Sequence, residues 1–409
     1  MQINYKLQDR FDLVVFIPVM ILIISGLLAI YSSTVNHPVA SGNFQRQFAA
    51  LIISLMVFFV IYFLPSQYLR TIALPSYLFS IFLLLVVLVA GKTVYGAKSW
   101  MDFGPIGFQP SEIAKIGTIL MLSHWLTDKK DDINNFKDIA VALFIGFLPV
   151  ALILLEPDMG TAIVFFIITI SLLFWSGISL FAMFVVLSPG VVAISSIFGT
   201  LPFIVTIVAV LVSLILFKRD LFNSITVFVI NLSSGFLVDF VIKYLKPHQQ
   251  RRIASFLDPN ADPLGSGYNA IQAKVAIGSG GLFGKGFLQG NQTQLRYIPA
   301  QWTDFIYSVV GEEFGFIGSL FIVLLFLIFF MRLLKLSSFA KDRYSSLLII
   351  GALSLFFAHF AINIGMNLGI TPVIGLPLPF VSYGGSSLLI NMVFIGIILN
   401  IYRNRKSHT

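Results

Sequence analysis

The sequence predicts an all-α polytopic membrane protein, a helical bundle of about twelve transmembrane helices with one large extracytoplasmic loop. Three observations carry this. Hydrophobic residues make up 57% of the 409 and charged residues only 11%, whereas a soluble domain is roughly 25% charged. Phenylalanine alone occurs 42 times, more apolar surface than a water-facing fold of this length absorbs. The apolar residues also fall in runs of about 17–25, the length that crosses a bilayer core as a helix.

Residues 1–11 are polar and carry Lys6 and Arg10. The first apolar run, about 13–31, is longer than a signal peptide's apolar core of roughly 7–15 residues, so it reads as a retained span. Spans follow at about 48–64, 74–90, 111–127, 139–155 and 159–175. From about 179 to 245 come three more runs, which read as three spans. They are separated by Gly199-Thr200-Leu201-Pro202 and by Lys218-Arg219-Asp220, and Ser233-Ser234-Gly235 interrupts the third. The last spans lie at about 304–331, 345–367 and 384–402. No repeat or low-complexity array stands out, and residues 1–409 read as one integral membrane domain.

Lysine and arginine placement orients the bundle, because short cytoplasmic loops carry an excess of them. With the N-terminus inside, the cytoplasmic segments hold Lys6, Arg10, Arg70, Lys129, Lys130, Lys137, Lys218, Arg219, Arg332, Lys335, Lys341, Arg343, Arg403, Arg405 and Lys406. The short external loops hold only Arg46, Lys92 and Lys98. Both termini are therefore expected in the cytoplasm. The loops 91–110, 246–302 and 369–382 share the outer face. This topology accounts for the formal charge of +8 without a nucleic-acid partner. With no cysteine, disulfides, thiolate metal sites and a Cys nucleophile are excluded, and the five histidines lack zinc-type spacing.

The polar stretch 246–302 is where chemistry is expected. It contains Asp258-Pro259 and Asp262-Pro263. Proline pushes the preceding residue off the helix, so both aspartates sit on extended or turn backbone. Two such carboxylates suit acid–base or metal chemistry, but spacing alone equally describes side chains that cap turns. The run Gly278-Ser279-Gly280-Gly281-Leu282-Phe283-Gly284-Lys285-Gly286 fails as a Walker loop, because Gly286 stands where Ser or Thr is required. Its amides are still candidates for cradling an anion beside Lys285, against the plainer reading of a surface turn. Residues 271–277 suit a re-entrant or interfacial helix. Glu112 and Lys115 share a helix face at i,i+3 near the start of a span, which favours a structural ion pair over a catalytic role.

Further motifs run in order along most of the chain. They are Gly96-Ala97-Lys98-Ser99-Trp100, Phe108-Gln109-Pro110-Ser111-Glu112-Ile113-Ala114-Lys115 and Glu156-Pro157-Asp158-Met159-Gly160-Thr161. Then come Arg251-Arg252 through Gly286, Thr303-Asp304-Phe305-Ile306, Gly311-Glu312-Glu313-Phe314-Gly315 and Pro377-Leu378-Pro379-Phe380-Val381-Ser382-Tyr383-Gly384-Gly385-Ser386. Together they resemble the SEDS family (shape, elongation, division and sporulation), and its rod-shape branch more than its division branch. The resemblance implies a peptidoglycan glycosyltransferase that polymerises lipid II outside the cytoplasmic membrane, beside a class B penicillin-binding protein that crosslinks the glycan. It singles out Asp262, in the family's Asp-Pro-x-Gly-x-Gly-Tyr motif, as the catalytic base. On that reading Arg46, Lys98, Trp100, Arg251, Lys274 and Lys285 bind the substrate, their cations facing its pyrophosphate. No cofactor is certain, and a divalent ion (Mg or Mn) is a candidate for the same charge. A lipid II flippase and a non-catalytic scaffold that activates the penicillin-binding protein are the competing readings.

Two departures from the family stand out. It usually has ten spans, so about 179–220 reads as an extra helix pair. Its common Pro-Glu-x-His-Thr-Asp-Phe is Pro299-Ala300-Gln301-Trp302-Thr303-Asp304-Phe305 here. Ala300 and Trp302 thus replace a Glu and a His, and Trp302 is expected to anchor at the membrane interface.

Overall fold

The computed structural model describes residues 10–94, 97–103, 106–129, 135–218, 220–244, 250 and 266–405. The elements are α1 (Leu13–Thr34), α2 (Asn43–Phe63), α3 (Gln67–Thr71), α4 (Ala73–Ala90), β1 (Lys92–Val94), β2 (Ala97–Phe103) and β3 (Ile106–Phe108). They continue with α5 (Pro110–Asp128), α6 (Phe136–Leu155), α7 (Met159–Trp175), α8 (Leu180–Ile197), α9 (Thr200–Phe217) and α10 (Leu221–Tyr244). The last are α11 (Ser266–Ser279), α12 (Asn291–Gln294), α13 (Ile306–Ser338), α14 (Arg343–Leu368) and α15 (Gly385–Asn404).

Ten of these helices are long and apolar enough to cross a membrane. With α5 and the shorter α7, which pack among them, the long helices of the bundle match the expected twelve. Their starts are set by side chains that satisfy free helix amides. Asp12 accepts from Val14 and Val15, Asp158 from Thr161, and Asp342 from Ser345. Pro110 opens α5, where its missing N–H costs nothing. Helix α14 ends on Gly369 at φ 69°, a left-handed cap suited to glycine.

Helix α15 is the hub. Its membrane window is 78% buried, against 11% for α9. A continuous core joins α1, α2, α5, α7, α13, α14 and α15, with Phe326, Phe329 and Phe356 fully enclosed. Asn400 of α15 donates to the carbonyls of Ile61, Tyr62 and Leu64, fastening the end of α2. Helices α8, α9 and α10 form a peripheral unit with its own small core of Val192, Val210, Leu214 and Val227.

Two expectations are corrected. The break at Ser233-Ser234-Gly235 is absent, and α10 runs through it. The small residues serve close packing: Ser234 donates to Pro189 O, and a Cβ at Gly235 would strike the Phe203 ring. The loop 91–110 is not plain loop either. It folds as an antiparallel sheet, β1-β2-β3, pairing Lys92 with Trp100 and Met101 with Phe108. Its β2 amide at Lys98 donates to Glu156 O, seating the sheet on the turn between α6 and α7.

Candidate active site at the loop end of the bundle

The Gly run does not cradle a ligand. Helix α13 breaks at Gly315 (φ 66°, ψ −160°), a conformation that L side chains rarely adopt. A broken helix exposes carbonyls on one half and amides on the other. The run satisfies both. Lys285 N and Gly286 N donate to Glu312 O and Glu313 O, while Phe316 N and Ile317 N donate to Gly281 O and Leu282 O. Side chains at Gly280 or Gly284 would collide with the α13 backbone. The amides expected to hold an anion are therefore committed to the chain itself.

Lys285 is corrected for the same reason. Its Nζ lies 2.9 Å from Glu312 Oε1, inside a cluster where Glu312 also accepts from Gln292 N, Thr293 N and the Thr293 hydroxyl. Its charge is already answered, so it anchors the loop rather than facing a pyrophosphate. Lys98 is likewise occupied: its ammonium binds the carbonyls of Leu88 and Val89 at 2.9 and 2.8 Å, capping the end of α4. Glu312→Gln removes a charge-assisted network and turns an NH2 toward other donors. A loss of about 2–3 kcal/mol is expected, read as a lower melting temperature and faster proteolysis between residues 280 and 300. Unchanged melting would contradict this assignment.

Arg46 and Lys274 remain exposed, and their side chains make no hydrogen bond or ion pair among the described residues. Arg46 is on the first turn of α2, next to Gln47, whose amide accepts from Gly384 N and reaches Ser382 O. Lys274 is on α11, with its aliphatic stem against Gly369. That helix agrees with the expected one at 271–277 and buries Ala273 and Ala276 against Ile298 and Phe305. Trp100 is half-buried on β2. Asp258, Asp262 and Arg251 lie outside the described residues.

Glu112 and Lys115 pair at 2.7 Å and are almost fully buried. The sequence reading missed their third partner. His359 Nε2 lies 3.2 Å from Lys115 Nζ, and its Nδ1 lies 3.1 Å from Pro377 O. An ammonium only donates, so Nε2 accepts and Nδ1 carries the hydrogen that Pro377 O receives. This chain links two sequence motifs, on α5 and in the 369–384 loop. Asn363 and Asn367 hold the same loop end: Asn363 donates to Asp304 O and Leu376 O, and Asn367 to Asp304 O. No local sequence pattern signals His359, because its partners lie 18 and 244 positions away.

Trp302, expected at the membrane interface, makes two specific contacts within the protein. Its ring meets that of His37 edge to face at 4.8 Å, and its carbonyl accepts from Tyr383 N. Around it the strand of loop from 291 to 303 is tied to the end of α1. Gln301 donates to Ser33 O and Thr293 O, Gln294 to Ser32 O, and Arg296 to Asn36 O. His37 Nδ1 accepts from the Val39 and Ala40 amides, and burial together with the nearby Arg296 lowers its pKa.

Glu156, in the turn after α6, is fully buried and neither carboxylate oxygen has a hydrogen-bond partner among the described residues. Burial, and then the charge of Asp158, push its pKa up to about 8. Unfolded, it would titrate near about 4.3. Between these values the folded protein holds the extra proton, so stability falls as pH rises from about 4.3 to about 8 and is level above. Melts at pH values across that window should show this decline, and Glu156→Gln should flatten it. Parallel slopes for the two proteins would refute the assignment.

Among the described residues, no three His, Asp or Glu side chains cluster as metal ligands.

The geometry thus ties the separate motifs into one loop end: α5 to the 369–384 loop, the Gly run to α13, and the 291–303 loop to α1. Known proteins are similar to this chain over most of its length. The peptidoglycan glycosyltransferase RodA of Treponema pallidum is 36% identical, covering 96% of this chain and 97% of its own. The peptidoglycan glycosyltransferase MrdB of Escherichia coli K12 is 34% identical, covering 98% of each. Among solved structures, a chain of a peptidoglycan synthase complex that coordinates polymerization and crosslinking superposes with a TM-score of 0.73, at 28% identity over 97% of this chain and 99% of that one. The rod shape determining protein RodA of Thermus thermophilus gives 0.66 at 25% identity, covering 97% and 98%. The profile of the FtsW/RodA/SpoVE family, described as cell cycle protein, matches residues 12–203 and 180–407. With a family profile that matches well over half of the chain and relatives 34–36% identical over 96–98% of it, this chain belongs to the FtsW/RodA/SpoVE family.

Proposed function

We propose that the protein is a peptidoglycan glycosyltransferase that polymerises lipid II into glycan strands for cell-wall elongation and cell shape. The end-to-end likeness to relatives named for that activity carries the reading. Asp262 is the general base. It takes the proton from the acceptor sugar's 4-hydroxyl as that oxygen attacks the anomeric carbon of the donor. The bond to the polyprenyl pyrophosphate breaks in the same displacement, which inverts the anomeric centre and needs no covalent intermediate.

The leaving pyrophosphate gains negative charge at a low-dielectric edge, so it needs fixed cations. Arg46, Lys274 and Arg251 take this role. Lys98 and Lys285 are withdrawn from it by their own partners. Lys274 stands eight residues into α11, about 12 Å along the helix axis from its start, and the Asp262 motif runs directly into that start. Trp100 offers an aromatic face for a sugar or lipid.

Both termini face the cytoplasm, and residues 246–302 face outward. A class B penicillin-binding protein crosslinks the product. Helices α8 and α9, corresponding to about 179–220, are the extra pair. The overlap of the two family-profile matches falls on α8, which supports an insertion there. The test is purified protein reconstituted with fluorescent lipid II and the partner. A ladder of glycan polymer is expected. Lipid translocation without polymer would replace the enzyme with a transporter, and polymer that appears only from the partner would replace it with a scaffold.

A further inference from the structure

At the opposite end of the bundle, where α13 and α15 finish, lies a feature that this activity does not use. A pit of about 220 Å³ is lined by Arg332, Lys335, Tyr402 and Arg405 over an apolar floor that includes Leu336 and Ile398. A wider groove of about 820 Å³ follows α13 past Leu327, Met331 and Leu334, with Val14 of α1 on its wall. Pit and groove meet at Arg332, Lys335 and Phe339, which line both.

The charges are unequally answered. Arg332 is held by Asp12 through bonds of 2.8 and 2.6 Å. Lys335 is exposed and has no hydrogen bond or ion pair from its ammonium among the described residues. Arg405 lies over the Tyr402 ring and donates to Tyr402 O, but no carboxylate faces it in the pit. Cations in a last helical turn also complement the helix carbonyls. That accounts for Lys335 being there, but not for a pit that opens into an apolar groove beneath it. The groove side chains are large and half exposed: Leu327 is 52% accessible and Met331 59%.

We propose that pit and groove form a binding site for an anionic phospholipid. The phosphate sits between Lys335 and Arg405, with the Arg332–Asp12 pair fixing the floor of the site. The acyl chains run along α13 through Leu327, Met331 and Leu334. A soluble phosphate would use the cations and leave the groove empty. A zwitterionic lipid would fill the groove but bring an ammonium among the cations. An anionic diacyl lipid answers both halves. The site is independent of the glycosyltransferase reading, since it lies where α13 and α15 finish, at the other end of α13 from the Gly315 break and the Gly run.

The experiment is native mass spectrometry of the full-length protein in detergent, titrated with dioleoyl phosphatidylglycerol or dioleoyl phosphatidylcholine. The anionic lipid should be retained and the zwitterionic one lost. Each cation near an anionic lipid strengthens binding about fivefold. Lys335→Gln with Arg405→Gln should therefore weaken phosphatidylglycerol about 25-fold, with an unchanged melting temperature showing that the fold is intact. Leu334→Trp, which fills the groove, should weaken it without altering charge. Equal retention of the two lipids by the wild type would overturn the proposal whether or not the variants fold. Displacement of the lipid by millimolar glycerol phosphate would reassign the pit to a free anion, and is equally an overturning result.

Discussion

Asp262→Asn should stop polymerisation of lipid II while leaving the protein folded and in the membrane. The substitution keeps the size of the side chain and removes only its ability to accept a proton. A positioned general base contributes about 100- to 10,000-fold, so residual polymer should fall to the limit of a gel assay. The variant protein should melt with the wild type, because Asp262 belongs to the polar stretch 246–302 of the sequence and not to an apolar span. The decisive comparison is purified variant and wild type, each with its penicillin-binding partner, on the same lipid II. Glycan strands of normal length from the variant would sink the assignment. Asp258→Asn serves as the control. It shares the Asp-Pro step but not the Gly-x-Gly-Tyr continuation, and should keep most of the activity.

The second large effect is structural. Lys115→Met should destabilise the protein by about 3–5 kcal/mol, because it leaves a buried carboxylate without its cation. Glu112 is only 4% exposed, and its second oxygen has no hydrogen-bond partner among the described residues even in the intact pair. The residue left behind must ionise unpaired or take up a proton, and either is costly in this setting. His359 would also lose the ammonium at its Nε2, loosening the bond from Nδ1 to Pro377 O that holds the 369–384 loop. Activity should fall with stability. The double variant Glu112→Gln, Lys115→Met removes the stranded charge and should recover more than half of the loss. Melting temperatures of the two single variants and the double variant form the cycle. A Lys115→Met protein within about 1 kcal/mol of wild type would show that the pair carries little.

Much of this protein could be read without coordinates, and the reason is the solvent. A bilayer demands about twenty apolar residues per crossing, so segments of the right length are visible one at a time. The extent of α1 or α14 needs no knowledge of its neighbours. The short pair Glu112–Lys115 was legible for a related reason: helix geometry places i and i+3 on one face whatever surrounds them. Asp262 was singled out only through resemblance, since Asp258 has the same local chemistry.

What escaped the sequence was long-range. The Gly run looked the same whether its amides faced a phosphate or the chain, and the break of α13 at Gly315 decided for the chain. Lys285 and Lys98 looked like free cations until Glu312 and the α4 carbonyls were found at their tips. His359 meets Lys115 across 244 positions, and His37 meets Trp302 from the other end of the chain. The sequence by itself determined the spans and the residue types able to do chemistry, because hydropathy and local geometry act within a few turns of chain. Only the tertiary structure decided which charges are already answered. An ion pair or a hydrogen bond depends on distance in space, and the fold alone brings those partners within reach.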